Sequence, residues 1–122
     1  MHGFKKGGNM ERGEQISGFI KSLVSDVRLR PIHIALSTAL CHAWIASQFQ
    51  QPYSVSRSQL MQACRIHSKA TYHKTLRELQ AFGYVEYHPS YHPVKASSVT
   101  LKFDSTTPVM GNVERHIFSI GI

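Results

Sequence analysis

The sequence contains little that would stabilise it covalently or anchor it in a membrane. It has only two cysteines, Cys41 and Cys64, and both lie in apolar stretches, so we expect reduced, buried thiols rather than a disulfide framework. No apolar run approaches the ~20 residues that a membrane-spanning helix needs. The residues after Met1 also lack the long apolar segment of a secretory signal. These absences predict a cytoplasmic protein with no membrane partner.

Acidic residues are also scarce. The chain carries 7 Asp and Glu residues against 14 Lys and Arg residues, and its pI is about 9.7. No carboxylate side chain lies between Asp26 and Glu78, whereas that interval contains Arg28, Arg30, Arg57, Arg65, Lys69, Lys74 and Arg77. A segment of one sign that spans several elements predicts a positively charged face. Such a face favours a polyanionic partner, either nucleic acid or an acidic membrane surface.

Known catalytic and metal-binding patterns are missing from the sequence. The few carboxylates form no recognisable pair, and there is neither a Gly-rich phosphate loop nor a nucleophile elbow. The eight histidines do not follow the ligand spacing of a zinc site. We therefore expect a protein that is not an enzyme and needs no cofactor and no metal.

The apolar pattern predicts an α+β, mainly helical fold. Residues 1–13 are rich in glycine and charge, and we expect them to form a flexible arm. Residues 14–30 follow helical spacing and predict an amphipathic accessory helix. Its apolar face would consist of Ile16, Phe19, Ile20, Leu23, Val24 and Val27, and its polar face of Lys21, Ser22, Ser25 and Arg28. The C-terminal tail, residues 104–122, contains many apolar residues and is expected to pack.

The central segment, residues 31–103, predicts an alternation of helices and strands. Pro31 suits the first turn of a helix, and Ser56 and Ser68 are N-cap candidates, with Gln59 completing a capping-box pattern after Ser56. The predicted elements are a helix over 31–48, an extended piece over 53–55, a short helix over 57–63, a helix over 68–82, and a hairpin of strands 84–88 and 98–103 with loop 89–97.

This order resembles the winged helix-turn-helix DNA-binding domain. Residues 68–85 read SKATYHKTLRELQAFGYV and are similar to the recognition helix and first wing strand of GntR-type repressors. The segment 49–101 also resembles small winged-helix proteins of bacterial mobile elements. The resemblance implies a winged-helix domain over 31–103, with an additional N-terminal helix and a two-stranded wing.

The implied DNA contacts come from three places. In helix-turn-helix proteins the second helix enters the major groove, and the preceding helix crosses the backbone. Helix N-termini and basic side chains bind phosphates, and Arg also reads guanine. The candidates are Arg57 and Ser58 on the first helix, Ser68, Lys69, Thr71, His73, Lys74 and Arg77 on the second, and Tyr91, His92 and Lys95 on the wing.

The predicted function is sequence-specific binding of double-stranded DNA by a transcriptional regulator or a mobile-element accessory protein. An alternative is a winged-helix module for protein–protein contact in a replication or transposition complex, and RNA binding is a third. The apolar face of helix 14–29, or the tail, could also pair two copies in a homodimer.

Overall fold

The computed structural model describes residues 2–91 and 96–103, which form four helices and one small antiparallel sheet. The predicted tail, 104–122, lies outside the described residues. The elements are α1 His2–Ser25, α2 Pro31–Ala46, β1 Tyr53–Val55, α3 Arg57–Cys64, α4 Lys69–Ala81, β2 Val85–His88 and β3 Ser97–Leu101. The fold is therefore α+β and mainly helical, as predicted.

The core lies between α2, α4 and the sheet. Leu36, Leu40 and Trp44 repeat along one side of α2 at helical spacing and are fully buried. Leu76 and Leu79 from α4 pack into the same cluster. Helix α2 ends at Ala46, slightly before its predicted end. The chain leaves the helix because Gln48 and Phe49 adopt left-handed backbone conformations, with φ of 62° and 66°.

The sheet has three strands in the order β1-β3-β2; the predicted extended piece over 53–55 is one of them, although its pairing with the hairpin was not predicted. β2 and β3 form the predicted hairpin, with Val85 opposite Leu101. The extended piece β1 pairs with the other edge of β3, where Tyr53 lies opposite Val99. Tyr53 is buried, and its hydroxyl donates a 2.7 Å hydrogen bond to the Leu40 carbonyl, which holds β1 against α2.

Helix α1 begins at His2, so the segment predicted as a flexible arm is helical. The expectation of an arm rested on its glycines, which lower helix propensity but do not prohibit a helix. At Gly13 and Gly18 an added Cβ would meet no neighbouring atom. These glycines are therefore not required by close packing.

The end of α1 and its orientation also differ from the prediction. The helix ends at Ser25 because the Asp26 carboxylate accepts a hydrogen bond from the Arg28 amide at 3.0 Å, which forms a turn. The Tyr84 hydroxyl donates to the same carboxylate at 2.7 Å and turns this side of α1 toward the sheet.

The prediction of a single apolar face on α1 was therefore partly wrong. Phe19 and Leu23 are buried as expected, and so are Ser22 and Ser25 from the predicted polar face. Three residues of the predicted apolar face are instead exposed, Ile20 to 47%, Val24 to 48% and Val27 to 71%. We call these three residues the α1 stripe.

Both cysteines are free; Cys41 is buried, as predicted, whereas Cys64 is only half-buried. Within the described ranges, no helix combines the length and apolar character that crossing a membrane requires. The cytoplasmic location stays a prediction.

Candidate nucleic-acid interface

The two helices of the predicted helix-turn-helix begin at the predicted caps. The Ser56 hydroxyl accepts a hydrogen bond from the Gln59 amide at 3.3 Å, and the Ser68 hydroxyl accepts one from the Thr71 amide at 3.2 Å. Each cap satisfies an amide that the first turn would otherwise leave unpaired. Local sequence signals therefore determine where α3 and α4 start.

Helix α4 has one buried and one exposed side. Tyr72, Leu76 and Leu79 are buried, as predicted, and Thr75 joins them. The opposite side carries the predicted contact residues, all exposed except the half-buried His73. We call this side the basic face of α4; it consists of Ser68, Lys69, Thr71, His73, Lys74 and Arg77.

The only carboxylate of α4, Glu78, is bound to α2. The amide of Arg30 donates to Nδ1 of His33 at 2.9 Å, so Nε2 of this buried imidazole carries a proton and donates to Glu78 at 2.8 Å. The Arg30 guanidinium adds a hydrogen bond of 3.2 Å. The hydrogen bond from His33, and then the charge of Arg30, lower the pKa of Glu78. The helix's negative charge is thus held between α4 and α2.

The connection between α3 and α4 is a tight turn anchored in the core. Ile66 is buried and its amide donates to the Met61 carbonyl at 2.8 Å. Arg65 adopts a left-handed conformation with φ of 59°, which is unfavourable for a residue with a Cβ. Its guanidinium compensates by donating to the Gln62 and Ala63 carbonyls at the end of α3.

This turn brings two groups of predicted residues together. Arg57 and Ser58, at the start of α3, line a groove of about 660 Å³ together with Lys69 of α4. Arg65 and His67 line the same groove. Neither is among the contacts predicted from the sequence, although their place in the turn before a predicted recognition helix was the available signal.

The predicted wing packs beside α4. The side-chain carbonyl of Gln80 accepts a hydrogen bond from the Tyr87 amide at 2.7 Å, which joins the helix to β2. His73 and Arg77 line a groove of about 360 Å³ with Tyr91, whose side chain is 92% exposed. The predicted contacts His92 and Lys95 lie outside the described residues.

A metal ion has no evident place in this part of the molecule. Across residues 2–91 and 96–103, no three His, Cys, Asp or Glu side chains come together in a group that could hold one. The expectation that the protein is not an enzyme stays a prediction.

Comparison with known proteins yields no relative. No protein-family model, curated protein or solved structure matches the chain. The features of this molecule that bear on function are the basic face of α4, the grooves beside it and their charges.

Proposed function

We propose that the chain is a sequence-specific, double-stranded DNA-binding protein of the winged-helix type, acting as a transcriptional regulator or a mobile-element accessory protein. The observation that carries the proposal is the charge of α4. Lys69, Lys74 and Arg77 are exposed, whereas the only carboxylate of the helix, Glu78, is paired with α2. A surface of one sign attracts a polyanion and steers its approach.

The arrangement of the elements supports a winged helix. Helices α3 and α4 are joined by a turn, and the β2–β3 hairpin follows directly. In that architecture the second helix enters the major groove through its N-terminal residues. The Ser68 cap leaves the amides of Lys69 and Ala70 available at the exposed start of α4, where a phosphate can accept them.

The chemistry of the exposed groups suggests how the contacts are divided. Lys69 and Lys74 are suited to phosphates, because an ammonium group is a compact charge without a fixed hydrogen-bonding plane. Arg77 can donate two parallel hydrogen bonds to the edge of a guanine. Since one arginine reads few bases, we propose that a second protomer contributes to specificity.

The exposed α1 stripe favours a homodimer, which we propose as the DNA-binding form. Ile20 and Val24 lie one helical turn apart on α1, and Val27 is exposed in the turn that follows the helix. Pairing two such stripes would remove this apolar surface from water. A dimer of this kind would bind two half-sites, and the selected DNA would then be palindromic.

The direct test is a titration of fluorescent duplex DNA of random sequence at low salt. With about five phosphate contacts per protomer, we expect the logarithm of the affinity to fall with the logarithm of salt at a slope near −4.5. Selection from a random duplex pool should then enrich one sequence. Failure to bind any duplex at low salt would overturn the proposal, and binding without enrichment would reduce it to non-specific binding.

A protein–protein module is the second candidate, because a groove of about 980 Å³ runs between α2 and α3. Ala35, Ala39 and Ala43 form one wall of it and would allow a partner helix to approach closely. The same titration separates the two functions, since a module of this type has no need to bind DNA.

A further inference from the structure

A small cavity of about 320 Å³ lies where α3, α4 and the hairpin meet. Its polar lining comes from Ser56, Arg57 and Ser58 at the start of α3, Tyr72 of α4, and Tyr87 and Ser97 of the hairpin. None of these side chains is a carboxylate. The cavity thus joins the start of the predicted backbone-crossing helix to the predicted recognition helix and wing.

Tyr72 is the unusual residue of this cavity. Its side chain is only 1% exposed, yet its hydroxyl makes no hydrogen bond within the part of the chain that the structure describes. The unpaired polar atoms that are completely enclosed belong to Ser25, Ser37 and Trp44. The Tyr72 oxygen is not among them, so it reaches the cavity surface. The hydroxyl therefore has no protein acceptor, and an occupant of the cavity could supply one.

The start of α3 presents further donors. The Ser56 hydroxyl binds the Gln59 amide and the Ser56 carbonyl binds the Leu60 amide, which leaves the amides of Arg57 and Ser58 available. The Arg57 guanidinium is exposed and has no carboxylate partner among the described residues. Together with the partial positive charge of the helix end, these groups favour an anion.

The hairpin adds a donor that is already oriented. The Ser97 hydroxyl oxygen accepts hydrogen bonds from the Tyr87 hydroxyl at 3.2 Å and from the Ser90 amide at 3.1 Å. Both interactions use the lone pairs of the oxygen, so the Ser97 proton is free to be donated. The loop end of the hairpin therefore offers the cavity a hydroxyl proton from Ser97.

The Tyr72 hydroxyl stays protonated at neutral pH. Burial, followed by the proximity of Tyr87, raises the pKa of Tyr72 to about 12, although Arg57 opposes the shift. The hydroxyl therefore keeps a proton that it can donate. A ligand rich in acceptor oxygens, such as a phosphodiester, can use the donors of this lining.

We propose that this cavity binds a phosphate of the DNA backbone, with the Tyr72 hydroxyl, the start of α3 and Ser97 as donors. The proposal rests on the proposed function, since it assigns one phosphate contact within the same interface. It also gives Tyr72 a role that its burial conceals, because a residue of the core would then contact the ligand.

The test replaces Tyr72 by Phe, which removes only the hydroxyl. Because that hydroxyl has no protein partner, we expect the melting temperature to be unchanged or raised, and duplex affinity to fall roughly tenfold, as for the loss of one hydrogen bond to a charged group. Tyr53→Phe is the matched control. Its hydroxyl is bound to the Leu40 carbonyl, so this variant should melt earlier and, while folded, bind DNA like the wild type.

The salt dependence distinguishes the donors. Tyr72→Phe should leave the salt slope unchanged because a neutral hydroxyl releases no counterion, whereas Arg57→Gln should reduce the slope by about 0.9. A scan of single methylphosphonate substitutions in the selected duplex should reveal one position that weakens the wild type several-fold and weakens Tyr72→Phe less, because only the other donors remain to be lost there.

The outcomes separate the two proposals. If the wild type binds no duplex, both fail. If it binds duplex and Tyr72→Phe binds equally well, or no methylphosphonate position is specific to the hydroxyl, only the phosphate site is wrong. If inorganic phosphate raises the melting temperature of the wild type but not of Tyr72→Phe, with duplex affinity equal in both, the ligand is free phosphate and the backbone assignment is overturned.

Discussion

Removing the three cations from the basic face of α4 should change how salt weakens DNA binding. The perturbation is the triple substitution of Lys69, Lys74 and Arg77 by Ala. All three side chains are exposed, and none forms an ion pair within the described residues. Their replacement therefore leaves no buried partner unsatisfied, and the protein should fold normally.

The magnitude follows from counterion release. Each cation that neutralises a phosphate contributes about 0.9 to the salt slope, so the triple variant should lose about 2.7. Between about 50 and 200 mM salt, the wild type should lose roughly 40-fold more affinity than the variant. Fluorescence anisotropy of a labelled duplex over this range measures both slopes.

A charge-matched control separates a local effect from a change in net charge. Arg12 and Lys21 on α1 and Lys102 after β3 are exposed and lie outside the elements that carry the predicted contacts, and their replacement by Ala removes the same charge. Arg12 lies 4.3 Å from the Phe49 ring centre, so a small loss of stability is expected there. If both triple variants lower the slope equally, or neither does, the assignment of the basic face of α4 is wrong.

Three further predictions concern stability and assembly. Burial raises the pKa of Asp26, but hydrogen bonds from Arg28 and Tyr84 outweigh burial and hold the pKa below its usual value. The ionised Asp26 therefore stabilises the fold fully above about pH 4, the usual pKa of this carboxyl in an unfolded chain. This stabilisation is lost as pH falls through the lowered pKa of the folded state. Asp26→Asn should cost about 2 kcal/mol of unfolding free energy at neutral pH and little in acid, by urea titration; an equal cost at both pH values contradicts this. Ser37→Ala should raise the unfolding free energy by about 1 kcal/mol, since the Ser37 hydroxyl is buried without a partner in the described chain. A lower unfolding free energy would contradict this, because it would mean that the hydroxyl makes a stabilising hydrogen bond. Val24→Glu should convert a dimer to a folded monomer by light scattering, and a monomeric wild type would refute the dimer.

The central elements were predictable because their signals are local. Ser56 and Ser68 cap α3 and α4 through bonds that span three residues. The spacing of Tyr72, Leu76 and Leu79 identified the buried side of α4. The exposed positions of the basic face followed directly, because the two sides of a helix are set by its period.

The two features that were not predicted correctly, the buried face of α1 and the pairing of β1, depend on distant parts of the chain. Both faces of α1 contain residues that can be buried, and the choice was made by Tyr84, which bonds to Asp26 58 residues away. β1 was too short to identify a partner by its own pattern. It became the third strand because β3 offered an unpaired edge.

The sequence by itself determined where the helices of the candidate interface begin, which side of α4 is buried, and that no carboxylate separates Asp26 from Glu78. Only the tertiary structure decided which charged and polar groups of this segment are paired and which meet at one site. It paired Glu78 with His33, 45 residues away, and placed the Tyr72 hydroxyl beside the start of α3. Helix period and capping act over a few residues, whereas both of these contacts require packed helices.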